Sequence, residues 1–132
     1  MPIDHVGLGV PDVEAAGAYY DQLMPMLGLH PCFGNGYCPT EEDGSQLFLY
    51  STVDEDGYSR YGPGLHHVAF RVSTRTEVDA VHEWVRDRGD PILHPPRLFP
   101  QFGDHYYATY FLDPHSFKLE VVCPTAAPVF RD

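Results

Sequence analysis

Basic residues are scarce: eight Lys and Arg stand against nineteen Asp and Glu, a formal net charge of −11 and a pI near 4.9. Affinity for a phosphate backbone comes largely from cationic side chains, so nucleic acid and anionic membrane surfaces are excluded as partners. Cysteine is equally sparse. Cys32, Cys38 and Cys123 form no closed disulfide set and show no C-x-x-C spacing. That argues against a secreted disulfide framework or a zinc ribbon and predicts three small buried hydrophobes. No apolar run approaches the ~18 residues that cross a bilayer, and Met1-Pro2-Ile3-Asp4-His5 has neither the basic start nor the apolar stretch of a signal peptide. The reading is a soluble, cytoplasmic chain.

Bulky apolar residues are plentiful. Hydrophobic residues make up 43% of the 132 positions, with nine Tyr and eight Phe, enough to offset the ordering entropy of a single domain. The acidic excess is lopsided. Residues 1–60 hold ten acids and one base, Arg60, whereas residues 61–132 hold nine acids and seven bases.

The two halves nevertheless share one plan. Asp4-His5-Val6-Gly7-Leu8-Gly9-Val10 aligns with His66-His67-Val68-Ala69-Phe70-Arg71-Val72, His67 lying 62 positions after His5. Both segments alternate as strands do, with Val6, Leu8, Val10 and Val68, Phe70, Val72 on one face and His5 and His67 on the other. Each strand leads into a helix. Asp12 caps a helix over about Val13 to Leu27 that ends at Gly28, with a bend expected at Pro25. Thr74-Arg75-Thr76-Glu77 reads as a capping box for a helix to about Arg88, stopped by Gly89, with Val78, Val81 and Val85 as its inward stripe. Strand-like runs follow around Cys32-Phe33, at Gln46 to Tyr50, around Ile92-Leu93, at Tyr106 to Leu112 and at Phe117 to Val122, separated by turn signals such as Asp43-Gly44 and Asp113-Pro114. The expected fold is α+β, a βαβββ unit written twice: module one at 1–51, a linker at 52–64, module two at 65–124 and a tail at 125–132.

Two histidines at equivalent places on first strands, with a carboxylate on a final strand, form a metal-ligand inventory. In Lys118-Leu119-Glu120-Val121-Val122, alternation puts Glu120 on the histidine side, where an ionised carboxylate among apolar neighbours calls for a compensating cation. His5, His67 and Glu120 make a 2-His-1-carboxylate set that leaves about three octahedral positions open. The blander assignments go elsewhere. His66 falls on the apolar-packing face, His82 within the second helix, His94 among prolines, and His30 and His115 in turns. Tyr106, Tyr107, Phe99 and Phe102 suit either a pocket wall or an aromatic sheet core.

These residues resemble the vicinal oxygen chelate superfamily, which includes glyoxalase I, extradiol dioxygenases, fosfomycin-resistance transferases and bleomycin-resistance proteins. The resemblance rests on Ile3-Asp4-His5-Val6 with the Pro11-Asp12 helix start, on Leu65-His66-His67-Val68-Ala69-Phe70, and on Phe111-Leu112-Asp113-Pro114 leading to Lys118-Leu119-Glu120. It implies paired βαβββ modules forming a β-cup, a divalent metal on His5, His67 and Glu120, and a small substrate that chelates through vicinal oxygens. Fe2+ is favoured, with Mn2+, Ni2+, Zn2+ or Co2+ as alternatives, and a homodimer is expected. The order His105, Tyr110, Asp113-Pro114, Glu120 is similar to the extradiol dioxygenase signature and implies proton-handling roles for His105 and Tyr110.

Module one departs from the four-ligand members of that superfamily. Aligned with Glu120 is Phe48, and Gln46, two residues away on the same face, serves as a fourth ligand only with a shift of register. The expected function is a metal-dependent enzyme of glyoxalase/dioxygenase type, with extradiol-like oxygenation foremost. A glyoxalase I-like lyase using Gln46 and a metal-free binding protein similar to the bleomycin-resistance proteins are the alternatives. Tyr110 is expected opposite Glu120 if the intervening loop has five residues, Asp113 to Phe117, which is the favoured length, and opposite Leu119, pointing into the helix-side core, if it has four, Asp113 to Ser116.

Overall fold

The computed structural model describes residues 2–41, 44–53 and 57–126. The chain divides into two units, Met1–Gly57 and Tyr58–Asp132. The first contains β1 (His5–Val10), α1 (Val13–Met26), β2 (Leu29–Pro31), β3 (Gly36–Pro39) and β4 (Gln46–Ser51). The second contains β5 (Val68–Arg71), α2 (Arg75–Arg88), β6 (Ile92–Leu98), β7 (Tyr107–Leu112) and β8 (Lys118–Cys123). Each is a βαβββ unit, and the sheets have matching orders, β1-β4-β3-β2 and β5-β8-β7-β6, with the first strand parallel to the last. This is the two-module α+β arrangement expected from the repeat. Among the described residues no helix is long and apolar enough to cross a membrane.

Local chemistry accounts for the helix boundaries. Asp12 is extended and its carboxylate accepts from the Glu14 and Ala15 amides, satisfying donors that an uncapped first turn leaves open. Thr74 and Glu77 close the capping box: the Glu77 amide donates to Thr74 Oγ1, which donates to Glu77 Oε1 at 2.9 Å. Gly89 ends α2 in the left-handed conformation at φ 82°, which favours glycine. The first helix stops one residue earlier than expected, at Met26 with Leu27 as its cap, and Pro25 sits inside its last turn.

One face of each sheet is covered by its helix. In the second unit Val78, Val81 and Val85 are buried together with Phe111, Leu119 and Val121. In the first, Tyr19, Tyr20 and Leu23 are buried with Leu8, Leu47 and Leu49. Each such side chain stabilises by roughly 1.5–3 kcal/mol relative to exposure. The histidine-bearing faces are therefore the ones turned from the helices.

Three expectations are corrected. Cys32 and Cys38 are disulfide-bonded, with Cα atoms 5.8 Å apart, and Cys32 is exposed; Cys123 alone is the buried free thiol foreseen for all three. The predicted strand at Cys32-Phe33 is instead the turn between β2 and β3, and β3 itself carried too little alternation to be seen in a four-residue strand. His66 is exposed rather than packed on the apolar face: the strand begins only at Val68, so alternation does not extend back to it.

Candidate functional site

Register places the chemistry of the second unit. β7 and β8 are joined by a five-residue loop and pair Tyr110 with Glu120, while Glu120 pairs on its other side with Ala69 of β5 and Tyr110 with His94 of β6. Ala69, Glu120, Tyr110 and His94 thus form one row across four strands, on the face opposite the helix. The loop is held by Asp113, whose Oδ1 accepts from the His115 and Phe117 amides at 2.9 Å, and by Ser116 at φ 70°.

Glu120 is only 1% exposed. Its Oε2 accepts from the Tyr106 hydroxyl, and its Oε1 lies 3.2 Å from His67 Nε2. The other nitrogen of His67, Nδ1, is 2.8 Å from His66 Nδ1, so Nε2 is the nitrogen turned to the carboxylate. His5 repeats the device in the first unit: its Nδ1 is 2.7 Å from Asp4 Oδ1. A partner on Nδ1 sets the tautomer and orientation of a ligating imidazole, as the partners of metal-bound histidines commonly do.

Two phenols share the buried carboxylate. Burial and the bond to Glu120 push Tyr106 up to about 12. Tyr110 is also raised, by burial first, then by the charge of Glu120 and a hydrogen bond to it. Both therefore stay protonated near neutrality and act as donors toward Glu120 or a ligand beside it. Around them stands an aromatic wall. The Tyr110 ring is 6.2 Å from His67, 5.6 Å from His94 and 5.3 Å from Phe99, and Phe102 packs against Tyr106.

The donor chemistry fits a divalent metal. A carboxylate this buried lacks a nearby Lys or Arg partner among the ion pairs formed by the described residues, and it faces an imidazole nitrogen instead. Among the described residues no group of three or more His, Cys, Asp or Glu side chains is gathered closely enough to hold a metal. His67 and Glu120 thus stand as a pair, with His5 in the other unit.

Of the other expected residues, His105 lies exposed in the turn before β7, and it is the adjacent Tyr106 that reaches Glu120. Tyr107 points elsewhere, donating to Asp79 of α2. His94, flanked by prolines, is exposed, and irregular register in β6 lets the strand continue through them and brings its ring edge-on to Tyr110. At the 62-residue offset the place of His94 is held by Cys32, and the similar Leu29-His30-Pro31 of β2 falls two positions earlier. In the first unit Gln46 is the register partner of His5, and Phe48 occupies the place of Glu120. A cavity of about 620 Å³ opens between α1 and the β2–β3 hairpin, where Glu14, Asp21 and Tyr37 line it, and His5 and Phe48 are not part of its lining.

The sequence profile of the Glyoxalase/Bleomycin resistance protein/Dioxygenase superfamily matches residues 2–121. The uncharacterized protein YqjT of Bacillus subtilis (strain 168) is 28% identical over 126 residues, covering 92% of this chain and 98% of that one. A presumptive glyoxalase from Bacillus halodurans superposes with a TM-score of 0.74 at 30% identity, over 92% of this chain and 95% of the other. The fosfomycin resistance protein FosX of Listeria monocytogenes, 18% identical, shares the fold at a TM-score of 0.66 over 93% of each chain.

Proposed function

The chain belongs to the Glyoxalase/Bleomycin resistance protein/Dioxygenase superfamily, and on that premise we propose that it is a divalent-metal-dependent enzyme whose small substrate chelates the metal through two vicinal oxygens. The observation that carries this reading is Glu120: a carboxylate 1% exposed, bonded on one oxygen by Tyr106 and facing His67 Nε2 with the other. His67 and Glu120 hold the metal, and His5, from the first unit of this chain or of a second copy, is the third ligand. Fe2+ suits a 2-His-1-carboxylate set best, with Mn2+, Ni2+, Zn2+ and Co2+ as alternatives. When bound, the metal stabilises negative charge developing on the substrate oxygens.

The protein's own groups do the rest. Tyr106 fixes the orientation of Glu120 through its hydroxyl. Tyr110 holds a proton beside the carboxylate and donates it toward a substrate oxygen. His105, the other proton-handling candidate, would have to act from its exposed turn, and His94, resting on Tyr110, is better supported for that task. The pairing of Tyr110 with Glu120 favours extradiol-type ring opening by dioxygen within the superfamily's chemistry. Gln46 beside His5 is the feature that favours a lyase of glyoxalase I type.

Elemental analysis of protein purified without oxygen tests the assignment. Wild type should retain one metal per site, and His67→Ala and Glu120→Gln should lose it while keeping the circular dichroism of the native fold. Stoichiometric metal in a His5→Ala/His67→Ala/Glu120→Ala variant would overturn it. Turnover of catechols against hemithioacetals then separates the two chemistries, and wild type that binds no metal but sequesters a cationic drug would be a binding protein instead.

A further inference from the structure

The β2–β3 hairpin joins a strand that is anchored to one that is not. On the β3 side Tyr37 is buried, with its hydroxyl donating to Asp21 of α1 at 2.8 Å. Gly36 and Tyr37 pair with Phe48 and Leu47 of β4, and the Asn35 carbonyl accepts from the Leu49 amide at 2.9 Å. β2 has none of these holds. It is three residues long, lies at the edge of its sheet and contributes no buried side chain. Two of the residues in its ladder with β3, Pro31 and Pro39, have no N–H to donate. An edge strand with so little packing belongs to the low end of local stability, so the covalent bond from Cys32 to Cys38 is the strongest tie between the two strands.

The disulfide is also placed to be reached. Tyr37 turns toward α1, so alternation turns its neighbour Cys38 to the face that no helix covers, where it stands directly opposite His30. Cys32, just past the end of β2, is exposed, whereas Cys38 is half-buried. Exposed disulfides are the ones that exchange readily with thiols.

We infer that Cys32–Cys38 is a site of reversible thiol exchange, at which a low-molecular-weight thiol opens the hairpin and frees part of the wall of the cavity beside α1. The thiolate attacks Cys32 Sγ. A bond forms between those two sulfurs, the Cys32–Cys38 bond breaks, and its electron pair leaves with Cys38. The proton given up by the thiol ends on Cys38. In reverse, Cys38 attacks the mixed disulfide on Cys32 and expels the thiol, so no other oxidant or reductant takes part. Pro31 and Gly34, which line the cavity of about 620 Å³, lie on the released side, while Tyr37 stays on Asp21. Only residues of the first unit are involved, and no metal is required.

Native wild type treated with 2-mercaptoethanol, quenched with an alkylating agent and mapped by mass spectrometry tests this. The first adduct should sit on Cys32 and the alkyl group on Cys38, with the buried Cys123 unmodified and the circular dichroism native. Amides of residues 29–34 should then exchange with deuterium about tenfold faster, while residues 46–49 of β4 keep their protection. Gel filtration of the adduct away from free thiol should restore the Cys32–Cys38 bond. A disulfide that resists the thiol until urea is added overturns the inference, as does a first adduct on Cys38 or unchanged exchange over residues 29–34. Cys38→Ser, which has no bond to open, should show the fast exchange without thiol; if it fails to fold, the wild-type comparison decides. Protein isolated with both thiols free should close on addition of 2-hydroxyethyl disulfide, and failure to close overturns the inference equally.

Discussion

Tyr110 and Glu120 are directly opposed across the β7–β8 ladder, one on each side of a five-residue loop closed by Asp113. Opposed residues share a face, so this pairing puts a proton-bearing phenol and a buried carboxylate side by side on the surface turned from α2. A loop shorter by one residue would have sent Tyr110 into the helix-side core.

Removing the Tyr106 hydroxyl should loosen the site without dismantling it. Tyr106→Phe leaves one oxygen of a buried carboxylate without its donor, which costs about 1–3 kcal/mol of stability. Metal affinity should fall about 10- to 100-fold, read by competition with a chromophoric chelator. Unchanged affinity would mean that Tyr106 does not orient a ligand.

Alkaline titration should have a late phase. Of the nine tyrosines, Tyr37, Tyr58, Tyr106, Tyr107 and Tyr110 have phenols raised above 10.0, in each case by burial first. For Tyr106 and Tyr107, pushed up to about 12, the bonds to Glu120 and Asp79 add to the effect. A folded state that keeps its protons longer than the unfolded chain has this stabilisation intact below pH 10, and loses it as the pH rises from 10 toward 12. Phenolate absorbance should therefore show a late phase, to which Tyr106 and Tyr107 contribute, coincident with loss of circular dichroism. Asp79→Asn should move Tyr107 out of the late phase.

Thiol counting checks the hairpin closure. Oxidised protein should give no fast-reacting thiol when native, one (Cys123) in denaturant, and three after reduction. Closing so short a loop should stabilise by about 2 kcal/mol, so Cys32→Ser/Cys38→Ser should lower the urea midpoint accordingly. Three reactive thiols in unreduced denatured protein would show the pair unjoined.

A homodimer is proposed on the superfamily's habit of pairing modules and on sheet edges that association would cover. Sedimentation at micromolar concentration should give a mass about twice 14.9 kDa. A monomer mass that persists as concentration rises would count against it.

How much was legible depended on the range of the interaction concerned. Helix caps, the Val78-Val81-Val85 stripe and the placement of His5 on the face away from Leu8 and Val10 follow from contacts within four residues or from strict alternation, so composition and spacing along 132 residues determined them. The duplicated βαβββ plan was visible for the same reason, as one local pattern repeated 62 positions later. What only tertiary structure decided were pairings between distant strands. The loop count that sets Tyr110 against Glu120, the irregular β6 that carries His94 onto Tyr110, and the hairpin that brings Cys32 to Cys38 each depend on register, and a shift of one residue exchanges the two faces. Tyr106 precedes β7, where alternation ends, so the turn rather than any strand pattern aims its hydroxyl at Glu120.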